Sequence, residues 1–208
     1  MKKFITLCLV AICSCINAAA QEISLPTPNL KRGSAFMKTL SERKSQREFS
    51  ETKLDKQDLA DLLWAAMGKS REDGKLTAPT AKNKQEIRLF VFAKDMVTEY
   101  QPQTHTMKAV LLGDYRALVA GGQAFAASAP VSLVIVADME KFGADNERAR
   151  MMVCVDAGIV CQNINLFCAS VGLATVPRAT MDTAGIQKLL GLSEKQIPVM
   201  NNPVGYVK

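Results

Sequence analysis

Residues 151–177, MMVCVDAGIVCQNINLFCASVGLATVP, decide how this chain is built. The first part is apolar almost all the way round a helical wheel, interrupted mainly by Asp156, Gln162, Asn163, Asn165 and Ser170. It has no single wet face of the kind a surface helix shows, so it is expected to be buried. Gly172 falls where a helix of about five turns needs a left-handed residue just beyond its end. The short run 173–176 that follows suits a strand. A central helix therefore leads straight into whatever Pro177 and Arg178 present.

Three of the six cysteines, Cys154, Cys161 and Cys168, stand seven apart on this helix. Helical geometry puts them on one stripe, roughly 10.5 Å from one to the next, too far for a disulfide among themselves. They read as small apolar packing residues, since a metal site needs closer spacing and further ligands. A disulfide between two copies across a dimer axis stays open in an oxidising compartment.

The other three cysteines lie within residues 1–20, where Lys2 and Lys3 precede an apolar run and Ala18-Ala19-Ala20 offers a cleavage site. This stretch is expected to be a secretory signal peptide, placing the mature chain in the periplasm or beyond. There is no twin-arginine pair, so export threads an unfolded chain and a non-covalent cofactor is acquired outside. Ile12-Cys13-Ser14-Cys15 faintly resembles a lipoprotein box, so membrane attachment is expected only if Cys15 is lipidated. The remaining 188 residues suffice for one domain with a real core. Their formal charge, +4 once the leader's two lysines are gone, is scattered among acids and calls for no nucleic-acid partner.

Residues 21–33, with Pro26 and Pro28, read as a linker, and a single domain is expected over 34–208. A short helix fits 34–44, ending in the polar cluster Ser41-Glu42-Arg43-Lys44-Ser45-Gln46-Arg47-Glu48-Phe49. That cluster is either a solvated turn or a grip for a phosphate or sugar chain, where charge-assisted bonds are strong. Asp55 can cap a helix whose Leu59, Leu62, Leu63 and Ala66 share a face, stopping at Gly68. Trp64 beside that stripe reads as packing. A long polar loop, 69–83, leads to a strand at 87–93, and a loop of that length is expected to do something. Residues 97–108 have hairpin character broken at Pro102, and hold the one histidine, His105, which has no partner suited to metal binding or base catalysis nearby. Helix is expected over 111–128 with an interruption at Gly121-Gly122, then a strand buried on both faces at 131–137. A last helix at 183–192 and a strand-like tail at 198–206 complete an α+β pattern.

Four of these stretches, in order, resemble the FMN-dependent nitroreductase family. Arg43-Lys44-Ser45-Gln46-Arg47-Glu48-Phe49 resembles the family's R-R-S-x-R-x-F. Ala78-Pro79-Thr80-Ala81-Lys82-Asn83-Lys84-Gln85 resembles A-P-S-x-x-N-x-Q. Ala129-Pro130 and the strand after it resemble A-P-v-v-i-v. The run from Asp156-Ala157-Gly158 through Gln162-Asn163 to Gly172-Leu173-Ala174-Thr175 is similar to D-x-G-x-x-x-Q-N followed by L-G-L-g-t. Leu63-Trp64-Ala65-Ala66-Met67-Gly68 also resembles the subgroup that includes thiazoline and oxazoline dehydrogenases, although Lys84-Gln85-Glu86-Ile87 stands where that subgroup carries an aromatic residue and a proline.

The resemblance implies a three-layer α/β/α fold with a mixed, mainly antiparallel sheet, a long buried central helix and a homodimer with the site at its interface. It implies FMN as cofactor, with N5 of the ring as the redox centre and no catalytic side chain. Arg43, Lys44, Ser45 and Arg47 would hold the phosphate and ribityl chain, and Lys208 would stand in for the basic residue of the family's longer C-terminal segment. Pro79, Thr80, Ala81, Asn83 and Gln85 would border the ring. The turn Pro177-Arg178-Ala179-Thr180 would offer backbone amides to the reduced ring. Electrons would pass from NAD(P)H, or another donor outside the cytoplasm, to a nitro, quinone or other small organic acceptor. The competing expectation is a flavin-binding or degenerate module that keeps the dimeric scaffold without the chemistry.

Overall fold

Val131–Asp138 is buried at all eight positions, and the rest of the molecule is laid out about it. The computed structural model describes residues 21–208, so the expected leader at 1–20 lies outside the described residues. In chain order the strands are β1 (Glu22–Ser24), β2 (Ile87–Ala93), β3 (Met96–Gln101), β4 (Thr106–Leu112), β5 (Val131–Asp138), β6 (Leu173–Thr175) and β7 (Gln196–Tyr206). The helices are α1 (Phe36–Glu42), α2 (Lys56–Met67), α3 (Arg116–Ala120), α4 (Ala124–Ser128), α5 (Met139–Phe142), α6 (Glu147–Val171) and α7 (Thr183–Leu190). The strands form one sheet in the order β1-β4-β3-β2-β5-β7-β6. Every pairing in it is antiparallel, which narrows the expected mixed sheet.

Alternate side chains of the central strands feed two cores, the period-two consequence of a sheet covered on both sides. Leu89, Val91, Leu133 and Ile135 pack with Leu62, Leu63 and Ala66 of α2 and with Val153, Ala157, Val160 and Ile164 of α6. Phe90, Phe92, Val134 and Val136 face the other way, onto Val119 of α3 and Ile186 of α7. These are the three layers expected.

α6 begins where the Asn146 side chain accepts the Ala149 N–H at 3.0 Å and ends at Gly172, whose φ of 78° is the left-handed stop expected there. At 25 residues it is nearly seven turns long, about 37 Å. The expectation that it is buried all round needs correction. One stripe packs against the sheet and α2, but Met151 is 58% exposed, Val155 51% exposed, and Cys154 is open too. Within one chain the helix lies on the sheet as a cover, and a helix lying on a sheet can bury only its inner stripe. Cys161 and Cys168 do pack internally, and burial pushes the Cys161 thiol up to about 11 and the Cys168 thiol higher still.

Residues 21–33 are not a linker. Glu22–Ser24 adds an edge strand to β4, and the Asn29 N–H and the Arg32 guanidinium reach Asp61 of α2 at 2.8 and 3.1 Å. Arg32 also pairs with Asp58, which accepts from the Tyr206 hydroxyl as well. Two prolines suggested a break, but a three-residue ladder and an ion-paired arm are tertiary contacts with no local signature. The helix expected from residue 111 starts later, because Leu111 pairs with Val97 in the sheet. An apolar run this short reads equally as strand or helix until a neighbouring strand captures it. The interruption at Gly121 stands as expected; its φ is 55°, and a Cβ there would sit 2.9 Å from Met181 Cα.

Candidate functional site

The polar segment after α1 runs extended across the end of the sheet. The Gln46 N–H donates to Thr175 O at 2.9 Å, and Phe49 bridges to Val207. Extended backbone sends neighbouring side chains to opposite sides. Lys44 and Gln46 open into a cavity of about 490 Å³, with Ser41, Asn165, Gly172 and Thr175 also in its wall. Arg47 opens into a second cavity of about 670 Å³, with Phe125, Ser128 and Lys208. The terminal Val207 and Lys208 divide between the two in the same way. Both volumes lie in the range of small-molecule sites.

Two features suit these cavities to an anionic ligand with hydroxyl groups. Arg43, Lys44, Arg47 and Lys208 take part in no ion pair among the described residues, whereas Arg32, Arg88 and Arg116 do. Gln46 Oε1 is buried without a hydrogen-bond partner, an acceptor beside a cavity that lacks a donor. A buried acceptor left unpaired costs roughly 1–3 kcal/mol, which a ligand hydroxyl or N–H would recover. FMN has a phosphate, a hydroxylated ribityl chain and a ring with an N–H edge, so the residues present fit it.

The sequence-expected residues divide into three groups. Lys44, Arg47 and Lys208 line the cavities. Arg43 caps α1 through its N–H to Thr39 O, and it and exposed Ser45 stand beside the cavities without entering their walls. Arg178 of the turn Pro177-Arg178-Ala179-Thr180 points inward. Its guanidinium donates to Gln123 Oε1, Val119 O, Asn201 Oδ1 and Ala120 O at 2.7–3.1 Å, and its backbone N–H to Asn201 O. That side chain and that amide serve the fold, so only the exposed Ala179 and Thr180 amides remain for a ligand. Arg178 and Arg47 both approach the Phe125 ring, at 5.6 and 5.8 Å from its centroid, which ties the turn to the second cavity.

Pro79, Thr80, Ala81, Asn83 and Gln85 form a separate group. Lys82, Asn83 and Gln85 all have positive φ, 54°, 53° and 49°. Each costs roughly 1–2 kcal/mol for a residue with a Cβ, so the loop has to be held in place. Asp156 Oδ2 accepts the Ala81 N–H at 2.8 Å, Thr80 Oγ1 accepts the Gln85 N–H at 2.8 Å, and the Gln85 amide donates to Gly74 O and Asn83 Oδ1. Asp156 sits thirteen residues before Ala169 on α6, which puts this loop roughly 20 Å along the helix from the first cavity. One chain alone does not bring the loop to the cations.

The sequence model of the nitroreductase family matches residues 40–206. The chain belongs to this family. A Methanocaldococcus jannaschii protein that carries a nitroreductase assignment is 31% identical over 179 residues, spanning 80% of this chain and 88% of its own. The crystal structure of a protein from Ralstonia eutropha JMP134, assigned as a nitroreductase, superposes with a TM-score of 0.85 at 30% identity, covering 93% of this chain and 92% of that one. The Vibrio harveyi NADPH:FMN oxidoreductase, solved with NAD+, shares the fold at 20% identity, with a TM-score of 0.65 over 83% of this chain and 69% of its own.

As a nitroreductase-family member the chain is an oxidoreductase. Sequence reasoning passed over Gln46, Asn165 and Thr175 as site residues. Gln46 was visible inside the quoted motif, but its burial against Thr175 was not. Asn165 belongs to a buried network in which the Asn202 amide donates to Asn165 Oδ1 at 2.9 Å and the Cys161 thiol donates to Asn202 Oδ1 at 3.1 Å. His105 needs no functional role: its Nδ1 meets the Tyr100 hydroxyl at 2.8 Å and its Nε2 meets Pro26 O at 3.0 Å, and burial lowers its pKa.

Proposed function

We propose that the chain is an exported FMN-dependent oxidoreductase that works as a homodimer. It would take two electrons from a reduced donor, NAD(P)H in the first instance, for a nitro, quinone or similar small organic acceptor. The observation that carries this reading is the buried, unpartnered Gln46 Oε1 in a cavity lined by Lys44 and Glu42, beside a second one lined by Arg47, Lys208, Glu48 and Glu51. Bound FMN would supply the hydride chemistry at its ring. Arg47, Lys44 and Lys208 would balance its phosphate, Gln46 would accept from its hydroxyls or ring N–H, and the Ala179 and Thr180 amides would face developing negative charge.

Exposed apolar groups support the dimer. Phe36 and Met37 of α1, 65% and 74% exposed, lie near the end of α6 that carries Ser170, because Ser34 N–H bonds to Ser170 O. Met151 and Val155 are exposed at the other end of α6. A two-fold axis that lays one α1 against the partner's Met151–Val155 face covers both patches at once. In such a dimer the strained 79–85 loop of one chain would meet the partner's cavities, and the two groups of site residues that a single chain keeps roughly 20 Å apart would come together.

Purified protein, reconstituted with FMN, should show flavin absorbance that bleaches on anaerobic addition of NADH or NADPH. Arg47→Ala should weaken FMN retention about 10- to 100-fold, the size of one charge-assisted contact. An absence of flavin binding after reconstitution would remove the enzyme reading in favour of a degenerate module. Bound flavin that neither nucleotide reduces would overturn NAD(P)H as donor. Export is tested by the N-terminus of the mature protein, which should begin near Gln21.

A further inference from the structure

Beneath the 79–85 loop lies a second carboxyl group that cofactor binding does not use. Glu86 closes the loop where it enters β2, with 0% of its surface exposed, and its main-chain oxygen accepts the Asp138 N–H at 3.0 Å. Neither of its side-chain oxygens has a hydrogen-bond donor in good geometry. The polar side chain beside it is Asp156 of α6, itself buried, whose Oδ2 already accepts the Ala81 N–H.

Two ionised carboxylates offer only acceptors, so they cannot bond to each other. With one proton between them they form an O–H···O⁻ bond of the strong, charge-assisted kind. Without it, two like charges sit side by side away from water. The surroundings offset this only in part. The Glu86 backbone amide is the main counterweight, and Lys141 of α5 acts more weakly, through space. The Asp138 carboxylate is turned to the Lys141 N–H and the Gln196 amide. Burial first, and then the contact with Asp156, pushes Glu86 up to about 7.

We propose that Glu86 and Asp156 share a single proton and that this protonated pair is the latch holding the 79–85 loop against the central helix. Glu86 and Asp156 are thus positioning residues. When the proton leaves to solvent base, the pair repels, the Ala81 N–H loses its settled acceptor, and the loop loses its bond to the central helix, keeping the bonds within it and to Gly74. The consequence for the cofactor rests on the functional reading above; the latch itself does not.

The latch is tested on the full chain without any flavin. Infrared spectra should contain a protonated-carboxyl carbonyl stretch that titrates near neutrality and vanishes in Glu86→Gln. Trypsin reads the loop directly, because Lys82 and Lys84 are exposed within it. Normalised to a free peptide of the same sequence, cleavage there should rise by up to about tenfold per pH unit from the ordinary carboxylate range to about 7 and level off above, the slope of one linked proton. In Glu86→Gln, whose amide donates to Asp156 at every pH, the rate should be flat. Asp156→Asn keeps an oxygen for the Ala81 N–H and serves equally if Glu86→Gln does not fold. A pH-independent wild-type rate, a slope unchanged in the variant, or no protonated-carboxyl band overturns the proposal. A titrating latch in a protein that never binds FMN would sink the functional reading and leave this one standing.

Discussion

Replacing Arg178 by methionine separates a structural from a cofactor-binding role for the one arginine that the motif comparison set beside the ring. Its guanidinium holds the carbonyls of Val119 and Ala120 at the end of α3, together with Asn201 Oδ1 and Gln123 Oε1. α3 is only five residues long, so the Val119 carbonyl has no further turn to bond to, while Ala120 O also accepts the Gln123 N–H at 3.0 Å. Methionine fills similar volume and leaves Val119 O and Asn201 Oδ1 unpaired, at roughly 1–3 kcal/mol apiece. Removing a buried cation with no carboxylate partner offsets part of this, since burial already lowers the Arg178 pKa. The net loss should be about 2–4 kcal/mol, most of it from Val119 O and Asn201 Oδ1, which stay dry. With a urea slope of about 1–3 kcal/mol per molar, the unfolding midpoint should fall by roughly 1–2 M with its slope unchanged. The fall should be the same size with and without added FMN. A midpoint within about 0.3 M of wild type, combined with lost flavin affinity, would refute the structural assignment and return Arg178 to the site.

Val155→Asp places a charge on the exposed apolar face of α6 and should convert the proposed dimer to monomer in sedimentation, with FMN lost in parallel; a dimer that persists would move the interface elsewhere. Asp58→Ala removes the shared acceptor of Arg32 and the Tyr206 hydroxyl and should destabilise by about 2–3 kcal/mol, with faster hydrogen exchange in residues 21–33; unchanged exchange there would mean that the arm is held by β1 alone. The Glu86 proton also sets a pH dependence. The folded chain binds it more tightly than the unfolded chain, so stability should fall as pH rises from the ordinary carboxylate range to about 7, by at most about 1.4 kcal/mol per pH unit, and level off above. His105, lowered by burial, works the other way, so the decisive quantity is the wild-type slope minus that of Glu86→Gln; a difference of zero rules out the shared proton.

Much of the fold was legible because it follows from local chemistry. The caps at Asp55 and Gly172, the strand at 87–93 and the doubly buried strand read at 131–137 each rest on a side chain or a periodicity within a few residues. What was misread depends on contacts distant in sequence. The arm at 21–33 reads as linker until Arg32 meets α2 from 26 residues away. Leu111 reads as helix until Val97 pairs with it, and Arg178 reads as a site residue until Asn201 and the end of α3 surround it. The site shows the same division. Its cations were plain in the motif, while Gln46 and the Glu86–Asp156 pair have significance only through burial, and burial is not written in residue identity.

By itself the sequence determined a long apolar helix stopped by Gly172, a sheet covered on both faces, and a family whose motifs span the domain, because residue type and period are enough to specify helices, strands and caps. Only the tertiary structure decided that this helix keeps an exposed apolar stripe and that cavities and loop stand roughly 20 Å apart along it. It also decided that a carboxyl with no donor lies beneath the loop. Those facts depend on which surfaces meet, and a linear pattern does not encode which distant neighbour excludes water from a given atom.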